Sequence, residues 1–525
     1  LNALASEAIP KSTDTCSQHL SMMAWSFATL SIMNKTLLDA ISAQSIPTIS
    51  HFKPQEITNT AWAFATLGVL DEELMDALAA AFIKKRPECG PRELAITALS
   101  FARIVVKNLP LMASISASAL PPIQDYGQQE IANTAWAFAK LIVMDAPLIQ
   151  AIASAARPKI SLFCPQHLTN LAWSLAKMSF LHSTLLEALS AASIRRIQAF
   201  NTQNLSNSAW SFAIIGFTDL PLLDAISAAS IALISEASNQ SLTNTAWAFA
   251  SLGVMDMPLL PALASEALPK ISDDSPQGIA NMAWAFASLS FVHEPLLDAL
   301  ASEAIRRIQF FEQQNLGNTA WAFANIVKTH RPLLSSISSQ ALAKLQDFTC
   351  QGLSNTAWAF AKLCVFDKTF LNAIAAQSIS ILGDYGSQNI ANTAWAFSAL
   401  FYTHSPLRSA IASAAIPKIS EFSKQDIGNL SWACAKIECG ADRKLLHAIS
   451  QQALNHSSEF NAQDIGISAW SSAILAVNDG PLREAISAAA LRKINDFSPQ
   501  NISNTALAWS MLGFRDDELM AAIAE

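Results

Sequence analysis

The sequence predicts an all-α fold, a right-handed α-solenoid of about fourteen 37-residue helix-turn-helix repeats, and three observations carry that prediction. Twelve of the thirteen tryptophans fall on one ruler with a 37-residue interval, doubled to 74 where Leu99 takes a vacant slot and lengthened to 38 at the last step. Around each anchor, apolar residues recur at helical spacing between a start signal and a stop signal. A second cap-and-apolar pattern then follows inside every period, and no alternating strand pattern competes with it. Residues 1–525 therefore read as a single continuous α-solenoid with anchors at Trp25, Trp62, Leu99, Trp136, Trp173, Trp210, Trp247, Trp284, Trp321, Trp358, Trp395, Trp432, Trp470 and Leu507.

With the anchor counted as zero, helix A opens on a small or polar residue at −9, often Pro at −8, and Gln at −7, as in Ser275-Pro276-Gln277. A polar N-cap followed by Pro at the first helical position is a strong helix start. Apolar positions −5, −1, +2 and +5 then make a core stripe over roughly fifteen residues. Gly68, Gly216, Gly253 and Gly513 at +6 end the helix by allowing a left-handed turn.

Helix B starts at +9, where only Asp, Asn or His occurs, from Asn34 and Asp71 to Asp479 and Asp516, with Asp442 aligned after an inserted residue near Gly440. This column reads as a second N-cap. Pro commonly follows two residues later, then Leu-Leu and an apolar 3-4 pattern for about fifteen residues up to an aromatic such as Phe200, Phe311 or Phe497. The Leu99 copy has lost both Trp and Asn, and the Trp470 copy carries Ile467 and Ser472, so these two are expected to be loose or hinge-like.

Charged residues make up 14% of the chain and the net charge is −8, so a global basic field for nucleic acid is absent and any such grip is local. The seven cysteines form no CxxC pair, which fits a reduced compartment. No apolar run approaches the roughly 18 residues of a spanning helix. The opening LNALASEAIPK matches LPALASEALPK at residues 260–270, inside a second helix, and the closing LMAAIAE stops at a similar place, so the chain is expected to be a fragment cut inside a repeat at both ends.

Function is to be sought in columns. At −6 stand His19, Glu56, Glu93, Glu130, His167, Asn204, Ser241, Gly278, Asn315, Gly352, Asn389, Asp426, Asp464 and Asn501, none of them apolar and few alike. Two readings fit. A polar column that varies from repeat to repeat is what one-base-per-repeat recognition requires, and the third position of a helix is also where a capping box closes. At −3, Asn59, Asn133, Asn170, Asn207, Asn244, Asn281, Asn318, Asn355, Asn392, Asn429 and Asn504 are too uniform to discriminate bases. They read as a ladder bonding adjacent repeats, with contact to a ligand backbone as the alternative. Because Leu99 and Leu507 replace Trp, the tryptophans read as core between helices.

Position +1 is always Ala or Ser, which reads as a low groove wall. Phosphate candidates are Arg103, Lys140, Lys177, Lys362 and Lys436 at +4, and a second series late in helix B: Lys159, Arg195, Arg196, Lys270, Arg306, Arg307, Lys344, Lys418, Arg492 and Lys493, with Lys11, Lys84 and Lys85 in the same column. The late helix B series reads equally as a rail for successive phosphates or as cations complementing helix C-termini. No nucleophile elbow, P-loop or HExxH is present, and no cofactor or metal is expected; Cys434 and Cys439 without a second cluster make a weak metal pair. The chain reads as a non-enzyme.

The hairpin with NTAWAFAxLG followed by PLLxAI resembles the heptatricopeptide repeats of organellar RNA-binding proteins and is similar to the 38-residue octotricopeptide repeats. That resemblance covers nearly the whole chain. It implies an α-solenoid in mitochondria or chloroplasts that binds single-stranded RNA along helix A and supports RNA stability, processing, translation or ribosomal RNA assembly. The −6 and −3 residues would then face bases, at about one nucleotide per repeat. A RAP domain, common at the C-terminus of such proteins, is not visible here. The acidic balance favours a second expectation, a protein-protein scaffold or assembly factor of an organellar complex.

Overall fold

A computed structural model describes residues 16–436, 443–475 and 479–524. Among them run 28 α-helices in tandem, alternating A and B. The chain divides into two compact units, Leu1–Leu263 and Ala264–Glu525. In the first unit the A helices run from Ser17–Thr29 to Asn239–Ser251, each followed by a B helix such as Lys35–Thr48 or Ser183–Arg196. In the second they run from Pro276–Ser288 to Pro499–Met511, with B helices from Glu294–Arg306 to Asp517–Ala524. Asp442, Gly440 and the inserted residue, Cys439, Lys11 and the opening segment lie outside the described residues.

Within each unit, the most extensive helix contacts join consecutive A helices. Small side chains permit this. In the A helix Pro91–Arg103 the residues at −4, −2, +1 and +3 are Ala95, Thr97, Ser100 and Ala102, all buried, and in Cys350–Lys362 they are Ser354, Thr356, Ala359 and Ala361. Thr58 Oγ1 meets Thr97 Oγ1 at 3.1 Å across one such seam, and Thr169 Oγ1 meets Ser208 Oγ at 3.2 Å across another. The expected stripe at −5, −1 and +2 faces the B helices, with Ile57, Ala61 and Phe64 at most 1% exposed. Position +1 is therefore a helix seam and not a groove wall.

The second N-cap is realised in every described copy. Asp145 Oδ1 accepts the Leu148 N–H at 3.0 Å, and His293 accepts the Leu296 N–H through Nδ1 at 3.2 Å. In some repeats the carboxylate also ties repeats together: Asp71 Oδ2 accepts from Ser42 Oγ at 2.5 Å and Asp367 Oδ2 from Ser338 Oγ at 2.6 Å. Each aspartate thus satisfies one orphan donor of its own helix and one hydroxyl of the preceding repeat. A short 3-10 turn follows the B helices, as at Ile197–Ala199, a feature without a distinct sequence signal.

Helix A ends as expected in a left-handed residue, but glycine is the minority solution. Gly68, Gly216, Gly253 and Gly513 have φ of 61–70°, and Ser31, Val105, Ile142, Ser179, Ser290, Val327, Cys364 and Phe401 adopt φ of 50–59° at the same position. The Schellman pair forms either way: Val143 N–H donates to Phe138 O at 2.9 Å and Ile142 N–H to Ala139 O at 3.2 Å. A β-branched residue there carries roughly 1 kcal/mol of steric cost.

Two stability predictions follow from these caps. Asp367→Ala removes a cap and leaves Ser338 unpartnered, so it should lower local opening free energy in native-state hydrogen exchange by about 2 kcal/mol, against about 1 kcal/mol for Asp145→Ala, which loses the cap alone. Ile142→Gly should raise the thermal midpoint through relief of about 0.5–1 kcal/mol, and Gly216→Ile should lower it by a similar amount.

Candidate nucleic-acid interface

The A helices turn one face outward in both units, and it holds positions −7, −3, 0 and +4, spaced by 4, 3 and 4 residues. In the second unit these residues line a groove of about 1280 Å³ that runs along the A helices from Trp284 to Asn504. Its walls include Gln351, Asn355, Trp358 and Lys362 from one repeat and Gln425, Asn429, Trp432 and Lys436 from another. No B-helix residue lines it.

This corrects the tryptophan column. The indoles are not core between helices; they are half-exposed, with Trp25 at 45%, and they lie against one another along the groove floor. Ring centroids of Trp358 and Trp395 are 6.3 Å apart with planes at 35°, and those of Trp395 and Trp432 are 5.8 Å apart at 32°. Trp25–Trp62 and Trp136–Trp173 in the first unit, and Trp284–Trp321 in the second, repeat the arrangement at 6.1–6.4 Å and 30–34°. Such offset, tilted pairs are favourable in their own right. The core aromatic is instead at +2, where Phe64, Phe101 and Phe138 are buried and where Trp509, the one tryptophan off the ruler, is 1% exposed.

The −6 column is corrected in the same way. Glu56, Asn204, Ser241, Gly278, Asn315, Asp426 and Asp464 are buried, and Glu93, Glu130, His167, Gly352, Asn389 and Asn501 are half-buried, leaving only His19 exposed. The carboxylate or amide turns back to its own N-cap: Lys53 N–H donates to Glu56 at 2.8 Å, Gly90 N–H to Glu93 at 3.1 Å, Glu312 N–H to Asn315 at 3.0 Å, Gly386 N–H to Asn389 at 3.2 Å and Asn461 N–H to Asp464 at 3.0 Å. Capping thus accounts for acids and asparagines alike. Gly278 has a separate cause, since a Cβ there would lie 2.0 Å from Asp274 Oδ1. His167 packs edge-on against Phe163, and its buried Nδ1 has no hydrogen-bond partner. The exposed position on this face is −7, where thirteen repeats carry Gln and the fourteenth Arg92.

The asparagines at −3 are on the groove face, each half-buried. Among the described residues none bonds an adjacent repeat through its side chain. Asn170 instead accepts from Gln166 Nε2 at 2.8 Å, joining −7 and −3 of one helix. The inter-repeat ladder is elsewhere, in the threonine and serine seams and the Asp–Ser pairs described above.

The two basic series separate. At +4, Arg103, Lys140, Lys177 and Lys362 are exposed and Lys436 is half-buried on the groove face. Lys362 Nζ sits 6.0 Å from the Trp358 ring, and Lys436 Nζ lies 5.9 Å from Trp432 and 4.7 Å from Phe401. Cations over indole faces are held by the ring quadrupole. Four of the helix B series clamp carbonyls in the loop that ends the preceding repeat: Lys159 Nζ donates to Gln124 O and Tyr126 O, Arg196 to Ser161 O at 2.6 Å, Arg307 to Asp274 O, and Lys418 to Gly383 O and Tyr385 O at 2.8 and 2.6 Å. Arg306 pairs with Glu303, Lys270 with Glu266 and Lys344 with Glu312, while Arg195 and Arg492 are exposed and Lys493 half-buried. The carbonyl contact with the preceding repeat differs from both readings of the sequence, the phosphate rail and the complement to the helix's own C-terminus.

Across the −7, −3, 0 and +4 columns not one carboxylate occurs, although the chain holds 41 acidic residues. The groove of the second unit is accordingly amide and indole with two lysines, and no acid lines it. Among the described residues no group of three or more metal-ligating side chains is gathered, and no helix is long and apolar enough to cross a membrane.

A family model described as RESC6, the RNA-editing substrate-binding complex 6 protein, matches residues 1–213, 189–331 and 375–525. The chain belongs to this family. It is a helical-repeat protein associated with RNA, from a family named for an RNA-editing complex; the heptatricopeptide and octotricopeptide likenesses stay resemblances. No curated protein matches. Among solved structures, a homology model of the full-length AP-3 complex in an intermediate open conformation is 9% identical with TM-score 0.36, covering 98% of this chain and 93% of that one. The karyopherin Kap121p bound to the SUMO protease Ulp1p is 11% identical with TM-score 0.30, covering 99% and 75%. The pentatricopeptide repeat protein PPR10 from maize is 9% identical with TM-score 0.24, covering 96% and 94%. At these scores the likenesses carry no functional meaning.

Burial holds the His167 pKa below its ordinary value, against an opposing pull from Glu130. A base whose folded pKa is depressed binds its proton more readily when unfolded, so its contribution is present above about pH 6.5 and is lost as pH falls through and below that value. Thermal midpoints between pH 7.5 and 5 should therefore fall more steeply for the native chain than for His167→Gln.

Proposed function

We propose that this RESC6-family chain is a non-catalytic subunit that binds single-stranded RNA along the A-helix groove, at about one nucleotide per repeat. The observation that supports it is the charge partition: a chain of net charge −8 keeps every acid out of four outward-facing columns and places Arg103, Lys140, Lys177, Lys362 and Lys436 among them. Indole spacings of 5.8–6.4 Å exceed the roughly 3.4 Å rise of stacked bases, which suits an unstacked strand advancing one nucleotide per repeat. The tilted indoles leave no slot for a base between them, so bases would meet the Gln and Asn amides by their edges, with phosphates near the +4 cations. The candidate set is thus −7, −3 and +4, with the clamping cations of helix B outside it. Among the two organelles that the resemblance implies, the mitochondrion is in keeping with an RNA-editing complex, and the chloroplast gains no support.

A second reading, a protein-protein scaffold within such a complex, is favoured by one observation. Val105, Ile142, Val327 and Phe401 are 63–71% exposed at left-handed positions where glycine would cost less, so apolar side chains are kept at the A–B turns despite strain. The two readings are compatible in one subunit.

A salt titration of binding to a randomised single-stranded RNA pool tests the first reading. Lys362→Ala with Lys436→Ala should weaken binding about tenfold and reduce the log–log salt slope by about 1.4, the value for two phosphate contacts on a single strand. Lys418→Ala should lower the thermal midpoint and leave that slope unchanged. Absence of RNA binding by the native chain at low salt would sink the proposal.

A further inference from the structure

We infer that the groove is a repetitive reader whose matching ligand is an adenine-rich single strand, a conclusion that rests on the RNA-binding reading above. Selective recognition of a mixed sequence needs readers that differ from repeat to repeat. Here the two amide columns scarcely differ. Gln occupies −7 in thirteen of fourteen repeats and Asn occupies −3 in eleven, and from Gln129 and Asn133 to Gln425 and Asn429 nine successive repeats keep Gln, Asn and Trp together. The variable column at −6 is buried or half-buried in thirteen of fourteen copies and closes capping boxes in several, and of it only Asn501 lines the groove of the second unit. A reader that repeats itself discriminates only in favour of a base that repeats itself.

The chemistry of the amides favours one base: on the Watson–Crick edge a carboxamide can complement any of the four, and only adenine also offers a donor beside an acceptor on its other edge. A carboxamide offers an N–H donor beside a carbonyl acceptor, and the adenine edge formed by N6–H and N7 offers the complement, so Asn and Gln pair with it in two bonds at once. The equivalent edge of guanine carries two acceptors, N7 and O6, and calls for Arg or Lys. The amides of −7 and −3 are exposed or half-buried in the groove, and among the −3 asparagines only Asn170 has its side chain engaged within the described structure, through Gln166. The lysines at +4 alternate with Ser, Thr, Asn and apolar residues, as positioning contacts do, and so do not impose a guanine preference at each step.

The repeats that break the pattern make the same point. The Leu99 copy has Arg92, Ile96, Leu99 and Arg103 on its outward face, two cations and no amide, so it offers no carboxamide to an adenine. The Trp470 copy has Ile467 in place of Asn and reads with Gln463 alone.

The test is fluorescence anisotropy of the whole chain with labelled homopolymers of about fourteen nucleotides, r(A), r(U) and r(C), and with a randomised pool of the same length. The expected result is r(A) bound at least about tenfold more tightly than r(U) or r(C). The triple variant Asn318→Ala, Asn355→Ala and Asn392→Ala should reduce that ratio to about threefold or less while leaving the salt slope unchanged. Should that variant fail to fold by circular dichroism, Gln351→Ala with Gln388→Ala, at exposed positions, is the replacement and should narrow the ratio in the same direction. Equal affinity for the three homopolymers, or a ratio untouched by these variants, overturns the adenine inference and leaves RNA binding standing. Failure to bind any RNA at low salt overturns RNA binding itself, and binding of an extended peptide in its place would assign the amide columns to a polypeptide backbone.

Discussion

The seam between consecutive A helices sets the geometry of everything else. Alanine, serine, threonine or glycine at −4, +1 and +3, and at −2 in ten of the fourteen copies, lets neighbouring helices approach closely, and Leu171, Met282 and Leu430 at −2 are buried there as well. Tryptophan, glutamine and asparagine are therefore displaced to the outward face, and the indoles, set side by side at 5.8–6.4 Å, pack on each other for want of any other surface. At −2 the seam accepts a larger residue, since Trp136–Trp173 and Trp395–Trp432, in copies that carry Leu171 and Leu430, keep centroid separations of 6.1 and 5.8 Å. Energetically the array depends on many small contacts between neighbours, as expected of a quasi-one-dimensional protein.

Two kinds of hydrogen-bond economy surround that seam. The residue at −6 closes the entrance of helix A on itself, and the residue at +9 closes the entrance of helix B while reaching, in the Asp71 and Asp367 copies, to the preceding repeat. The cations at the end of helix B do the complementary task for carbonyls, as Lys159 and Lys418 show with paired bonds. With helix ends satisfied inside the protein, helix A is left with amides and lysines on its outward face, of which a few, such as Asn325 to Ala287 O at 2.8 Å, bond a neighbouring repeat.

The helices, their order and both caps were legible in the sequence because each is a local signal: the tryptophan interval, Pro after the cap, and Asp, Asn or His at +9. The outward face was not, and the reason is a single residue type. Tryptophan at a fixed period is normally core, and once it is placed inside, the wheel of helix A turns so that −6 and +1 come to the surface and −7 is overlooked. The signal that would have corrected it was the Gln column, nearly invariant at a position where a helix start requires no particular residue. Gly278 shows the same limit at one site: a Cβ there would meet Asp274 Oδ1 at 2.0 Å, a contact that only the three-dimensional structure reveals.

The row of indoles has a consequence beyond packing. Chromophores held about 6 Å apart at 30–35° couple their transition dipoles, so the protein carries a built-in optical gauge of the distance between its own repeats. Any event that stretches, compresses or bends the array in either unit would be written into its near-ultraviolet spectrum without a label.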